Sequence, residues 1–130
     1  MATHELRMVI TVDDFDEAFR FYRETLGLDL AAEWDTEMGH GVLFSVGRGT
    51  IELFDRRQKE SIDTLEAGHM TDGDVRIALE IDDVDGMASR LTEAGTRSVG
   101  DPFDAPWGDR IARLETPHGM QLTLFSTTET

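Results

Sequence analysis

Arg76-Ile77-Ala78-Leu79-Glu80-Ile81-Asp82-Asp83-Val84 repeats an earlier stretch of the same chain, Arg7-Met8-Val9-Ile10-Thr11-Val12-Asp13-Asp14-Phe15. Each copy opens on arginine, runs through a β-type segment, and closes on paired aspartates and an apolar residue. An amphipathic helix pattern follows both. A repeat of this length describes a domain built from two copies of one supersecondary unit. It also puts Arg7 and Arg76 at equivalent positions.

Working outward from the first copy, Arg7 to Val12 alternates as a strand, with Met8, Ile10 and Val12 on one face and Arg7, Val9 and Thr11 on the other. Asp14 and Glu17 form a capping-box pattern. The helix behind it carries Phe15, Ala18, Phe19, Tyr22 and Leu26 on one stripe, and Gly27 stops it. Strands follow over 28–35, 41–46 and 50–55, the last two joined by the Gly47-Arg48-Gly49 hairpin signal. The first module is therefore β-α-β-β-β over about 5–56, and the polar stretch 57–74 reads as a linker with a helical turn near Ile62 to Glu66.

The second module repeats that order over about 75–126. Asp83 caps a helix bearing Val84, Met87, Ala88 and Leu91, which Gly95 ends, and Gly86 weakens it. A strand over 96–101, an irregular segment over 102–109 and a hairpin of 110–115 with 120–126 complete the module, and the tail beyond Ser126 is expected to fray. The expected fold is α+β, one domain of two βαβββ modules whose curved mixed sheets surround a cavity.

Composition narrows the partners. At 130 residues the chain suits one domain with a real core. The absence of cysteine excludes disulfides and thiolate metal sites, and fits a cytoplasmic location. A formal charge of −15 repels phosphate backbones and anionic lipid, so neither nucleic acid nor membrane is an expected partner.

Alternation also predicts a cavity. The aliphatic faces carrying Met8/Ile10, Ile51/Leu53, Ile77/Leu79 and Leu122/Leu124 belong under the helices. The opposite faces then present Arg7, Glu52, Phe54, Arg76, Gln121, Thr123 and Phe125. Arginines, a glutamate and phenylalanines on one concave face suit neither a plain core nor a solvent face, and point to a ligand cavity.

These segments resemble the vicinal oxygen chelate superfamily, which includes glyoxalase I, extradiol dioxygenases, fosfomycin-resistance enzymes and bleomycin-resistance proteins. The resemblance rests on Val12-Asp13-Asp14-Phe15, Phe21-Tyr22-Arg23-Glu24-Thr25-Leu26-Gly27-Leu28, Ile51-Glu52-Leu53-Phe54, the second repeat copy, Pro106-Trp107-Gly108 and Thr116-Pro117-His118-Gly119. It implies paired βαβββ modules around a cavity, and a homodimer in many members. It also implies a divalent-ion site at positions occupied here by Arg7, Glu52, Arg76 and Thr123. Only Glu52 among these can ligate a metal, because guanidinium stays protonated and has no lone pair to give. The expectation is a cavity with no cofactor; a divalent metal at an altered site is the alternative. His4, His40, His69 and His118 fall elsewhere.

Several readings stay open. Arg7, Glu52 and Arg76 form either a self-neutralising cluster or an anion-binding site. Glu52 is a candidate general base, against which two flanking arginines should hold its pKa down. Trp107 is either a hydrophobic plug or a lid that stacks on a ligand. Arg110 and Arg113 have opposite parity, so one of them faces the cavity, and Arg110 is the expected one. The functional expectation is a protein that binds a small organic anion or aromatic molecule. A metal-dependent lyase, isomerase or dioxygenase and a partner-binding module with a vestigial cavity are the alternatives.

Overall fold

In β1 (Thr3–Thr11), alternate residues turn toward an outer face and a concave face. Leu6 and Met8 on the outer face are exposed, against the expectation that Met8 belongs under a helix, because the helices of that face pack mainly on the other strands. The structure, a computed structural model, describes residues 2–127. The tail expected to fray lies largely outside them. After β1 come α1 (Phe15–Arg20), β2 (Asp29–Thr36), β3 (Gly39–Val46) and β4 (Gly49–Phe54). Next come α2 (Arg56–Ala67), β5 (Val75–Ile81), α3 (Val84–Glu93), β6 (Arg97–Asp104), β7 (Arg110–Glu115) and β8 (Gln121–Ser126).

The strands form one curved, open sheet of eight in the order β2-β3-β4-β1-β5-β8-β7-β6. Each module contributes one half. β1 runs parallel to β4, and β5 runs parallel to β8. The modules join where β1 meets β5 antiparallel, with Met8 opposite Ile77, Arg7 opposite Ala78 and Val9 opposite Arg76. The two copies of the repeat therefore lie side by side within one chain.

α1 and α3 cover the two flanks of the outer face as their apolar stripes require, leaving Leu6 and Met8 at its middle exposed. α1 packs Phe15 with Val42, Phe44 and Leu53, joined by Phe19 and Tyr22. α3 packs Val84 and Ala88 with Ile81, Ala112, Leu114 and Leu124. Each large apolar side chain buried here stabilises the fold by about 1.5–3 kcal/mol. Both helices have the expected caps, Asp14 accepting from the Glu17 N–H at 3.0 Å and Asp83 from the Gly86 N–H at 2.9 Å.

The structure departs from the sequence reading in three places. α1 runs into a π-helical turn at Phe21–Thr25, where the Leu26 N–H reaches the Phe21 carbonyl at 2.7 Å. The extra residue in that turn rotates Leu26 off the buried stripe, and it is exposed. The irregular segment over 102–109 begins as strand, since β6 extends to Asp104 at the sheet edge, where Pro102 is tolerated. Most consequentially, the 57–74 linker holds a full helix. α2 is capped by Asp55 on the Gln58 N–H and ended by Gly68 in the left-handed conformation, φ 78°. It crosses the concave side and buries Gln58, Lys59, Ile62, Asp63 and Glu66, so it has no apolar stripe to reveal it. Among the described residues, no helix is long and apolar enough to cross a membrane.

Candidate functional site

The concave side of the sheet, α2 and the loop after β6 enclose a cavity of about 450 Å³. Its floor is the junction of the modules. Val9 and Ala78, both buried, sit between Arg7 and Arg76. Small side chains there leave the space that the arginines border. Phe54 and Phe125, at matching places in the two modules, complete the inner wall. Their contacts cross the junction. The Arg7 guanidinium lies 4.9 Å from the ring of Phe125, and that of Arg76 lies 5.6 Å from the ring of Phe54. Each module's arginine thus rests on the other module's phenylalanine. Trp34 on β2 adds an aromatic edge, and it fits only because position 41 is glycine: a Cβ there would stand 2.3 Å from the indole.

The two arginines are held differently. Arg7 donates to both carboxylate oxygens of Glu5, at 2.8 and 3.3 Å, and lies 3.9 Å from Glu52. Burial works against its charge, but Glu5 and Glu52 outweigh that and raise its pKa. Arg76 donates to the Thr123 hydroxyl, its one hydrogen bond among the described residues, and lies 3.7 Å from Glu66. Burial, with repulsion from Arg113, lowers its pKa despite Glu66 and Glu52. Glu52 accepts no hydrogen bond among the described residues. Burial raises its pKa, and the attraction of Arg7 and Arg76 only partly offsets that. This reverses the sequence expectation, in which the flanking arginines decided the sign.

Under α2 lies a buried ionic network. Arg113, 0% exposed, donates to Glu66 at 3.0 Å and Asp63 at 3.1 Å. Lys59, the one lysine of the chain, donates to Asp63 at 2.6 Å and to the Thr71 carbonyl at 2.7 Å. Burial disfavours the Asp63 charge, but Lys59, Thr71 and Arg113 hold its pKa below the usual carboxylate range.

Seven of the nine residues expected at the cavity border it: Arg7, Glu52, Phe54, Arg76, Trp107, Thr123 and Phe125. Arg110 and Gln121 do not. Ile111 takes the concave face of β7, so Arg110 turns to the outer face and pairs with Asp85 and Asp104. Arg113 shares the face of Ile111 but lies beneath α2. Gln121 is covered by the same network and donates to Glu115 at 3.2 Å. The cavity also takes in residues that the sequence reading passed over: Trp34, Gln58, Ile62, Glu66 and Asp109. The signal for Gln58, Ile62 and Glu66 was their four-residue spacing on one face of α2. Trp107 stands at the mouth, 47% exposed, in a turn closed by Gly108 N–H to Ala105 carbonyl at 2.9 Å. Beside it Asp109 has its pKa raised by burial, against the pull of Trp107 and Arg7.

Arg7, Glu52, Arg76 and Thr123 do not suit a divalent ion. They supply one carboxylate and one hydroxyl, the hydroxyl already engaged by Arg76, and two cations repel the metal. Among the described residues no cluster of three or more His, Asp or Glu could hold one elsewhere. His4 pairs with Asp82, His40 with Glu33, and His69 with the Ala67 carbonyl.

A family model described as Glyoxalase/Bleomycin resistance protein/Dioxygenase superfamily matches residues 6–124. The chain is 31% identical to a 2-epi-5-epi-valiolone epimerase of Actinomyces sp., covering 89% of this chain and 75% of that protein. It is 29% identical to a probable lactoylglutathione lyase of Synechocystis sp., covering 94% of each. In fold it is similar to a Streptomyces coelicolor methylmalonyl-CoA epimerase variant in complex with 2-nitronate-propionyl-CoA. That match has a TM-score of 0.69 and 22% identity, and covers 95% of this chain and 96% of that one.

Proposed function

The chain belongs to the glyoxalase/bleomycin resistance protein/dioxygenase superfamily, and within that family we propose that it binds a small organic anion in its concave cavity without a divalent ion. The observation that carries this reading is Arg76. Its guanidinium borders the cavity, its side chain is 13% exposed, and Thr123 takes its one hydrogen bond among the described residues. Glu66 lies close but gives its nearer oxygen to Arg113. Such a cation has unused donors in a fork that matches a carboxylate. Phe54, Phe125, Val9 and Ile111 supply an apolar surface for the body of the ligand. One chain encloses the cavity, so binding does not depend on the homodimer that the family resemblance implies. A partner-binding module with a vestigial cavity has no support in a space of about 450 Å³.

Isothermal titration with small aromatic carboxylates, with and without chelator, tests the proposal. Saturable binding that chelator leaves unchanged and Arg76→Leu weakens by about 10–100-fold is expected. Binding that requires a stoichiometric divalent ion, or no binding by any carboxylate, refutes it.

A second reading is favoured by Glu52. A buried carboxylate with a raised pKa and no hydrogen-bond donor is a competent proton acceptor. Relatives named as an epimerase and a probable lyase make proton abstraction next to a carbonyl the reaction class to examine. In deuterated water, solvent exchange at the carbon beside the carbonyl of a bound keto acid, followed by NMR and lost in Glu52→Gln, supports it. Exchange that survives in Glu52→Gln removes it.

A further inference from the structure

Gln58 is a cavity residue that the anion reading leaves unused. It is 6% exposed and borders the cavity from the first turn of α2. Its backbone N–H is fixed by the Asp55 cap at 2.8 Å, so the side chain leaves the helix from a rigid origin. Its carboxamide makes no hydrogen bond among the described residues, and Oε1 is a buried acceptor without a donor. A buried polar group left unpaired costs about 1–3 kcal/mol, and native structures retain few of them. Rotation about χ3 exchanges the amide oxygen and nitrogen at little cost. Either end of the amide can therefore be turned toward the cavity, at the edge of an otherwise mainly apolar wall.

Its position along α2 sets a length. Gln58, Ile62 and Glu66 recur every four residues and all border the cavity. Glu66 marks the Arg76 end, 3.7 Å from that guanidinium. Eight residues of helix separate Gln58 from Glu66, about 12 Å at 1.5 Å per residue. Ile62 lies between them, facing the cluster that holds Phe54, Val9 and Phe125. The wall thus reads cation, apolar stretch, carboxamide.

Resting on the organic-anion reading above, we infer that the ligand is a carboxylate whose ring or ring-sized apolar body carries a hydroxyl at the end far from the acid, and that Gln58 binds this hydroxyl. The acid lies on Arg76, the body crosses Ile62 and the phenylalanines, and the hydroxyl donates to the Gln58 carboxamide oxygen.

The test uses a matched series by isothermal titration on the full chain: 3-(4-hydroxyphenyl)propanoate, its 4-methoxy analogue and 3-phenylpropanoate. The wild-type protein should prefer the hydroxylated acid to the other two by about tenfold or more. Gln58→Met should lose the preference, so that this variant binds the three acids with equal affinity, while Arg76→Leu weakens all three by about 10–100-fold. The comparison of acids on unaltered protein stands even where Gln58→Met does not fold. Equal affinity of wild type for all three overturns the role of Gln58 and leaves the anion site standing. A 4-methoxy analogue as tight as the phenol overturns it likewise. Binding of none of the three overturns the inference, and the anion reading falls only when the wider carboxylate panel also fails.

Discussion

Arg7 and Arg76 occupy the same place in two copies of one unit, yet they are in different states. Arg7 is chelated by Glu5 on its own strand, and Glu5 with Glu52 raises its pKa against the effect of burial. Arg76 has Asp74 at the position matching Glu5, but Asp74 pairs with Arg56; Arg76 leans on Thr123, and burial with repulsion from Arg113 lowers its pKa. The difference comes from α2, which places its acidic residues beside β5 and β7 and shares them with Arg113. A duplicated sequence has thus yielded one satisfied cation and one with spare donors. Function should be sought at the second.

The largest test of this comparison is Arg113→Met. It leaves Asp63 and Glu66 buried without their shared cation, and unfolding in urea should show a loss of about 3–5 kcal/mol. A small loss would mean that α2 is not held by its charges, and the asymmetry would lack its cause. Next, isothermal titration with an aromatic carboxylate should separate the arginines. Arg76→Leu should weaken binding by about 10–100-fold, the worth of hydrogen bonds to a charged group. Arg7→Leu, removing a cation already occupied by Glu5, should weaken it by about fivefold at most. The reverse order would break the comparison.

Glu52→Gln sharpens it through pH. The folded-state pKa of Glu52 is raised by burial over the pull of the arginines. Its contribution to stability is therefore full below the unfolded value of about 4.3 and is lost as pH rises through the folded value. Glu52→Gln should raise Tm by roughly 2–5 °C near about pH 8, and the gain should vanish toward about pH 4. A loss of Tm near about pH 8 that disappears on acidification would show that the arginines, not burial, set the titration. The smallest effect belongs to Arg110→Ala, since its pairs with Asp85 and Asp104 lie on the outer surface. Neither Tm nor ligand affinity should change measurably.

What could be read in advance follows the kind of force involved. Phe15, Phe19 and Tyr22 announce α1 because they bury oil at helical spacing, and Met8, Ile77 and Leu124 assign the outer face by alternation. The concave residues followed from the same alternation by exclusion. α2 stayed hidden because its buried side chains are Gln58, Lys59, Asp63 and Glu66, with Ile62 the one apolar member. Polar burial has no periodic hydrophobic signature, and Arg113 lies 50 residues from Asp63 in sequence. Arg110 and Arg113 flank an Ile-Ala pair, so local pattern could not say which arginine turned inward. The sign of the Glu52 shift was out of reach for a related reason: neighbours can be read from parity, depth cannot.

The manner in which α2 is fastened has its own consequence. The scaffold is joined by oil, which acid leaves alone. The wall is joined by Asp63 and Glu66, and the depressed pKa of Asp63 means that its share is kept above the ordinary carboxylate range and surrendered as pH falls through the folded value. Acidification should therefore unlatch the helix while the eight strands remain paired, leaving an open trough where a closed binding chamber had been.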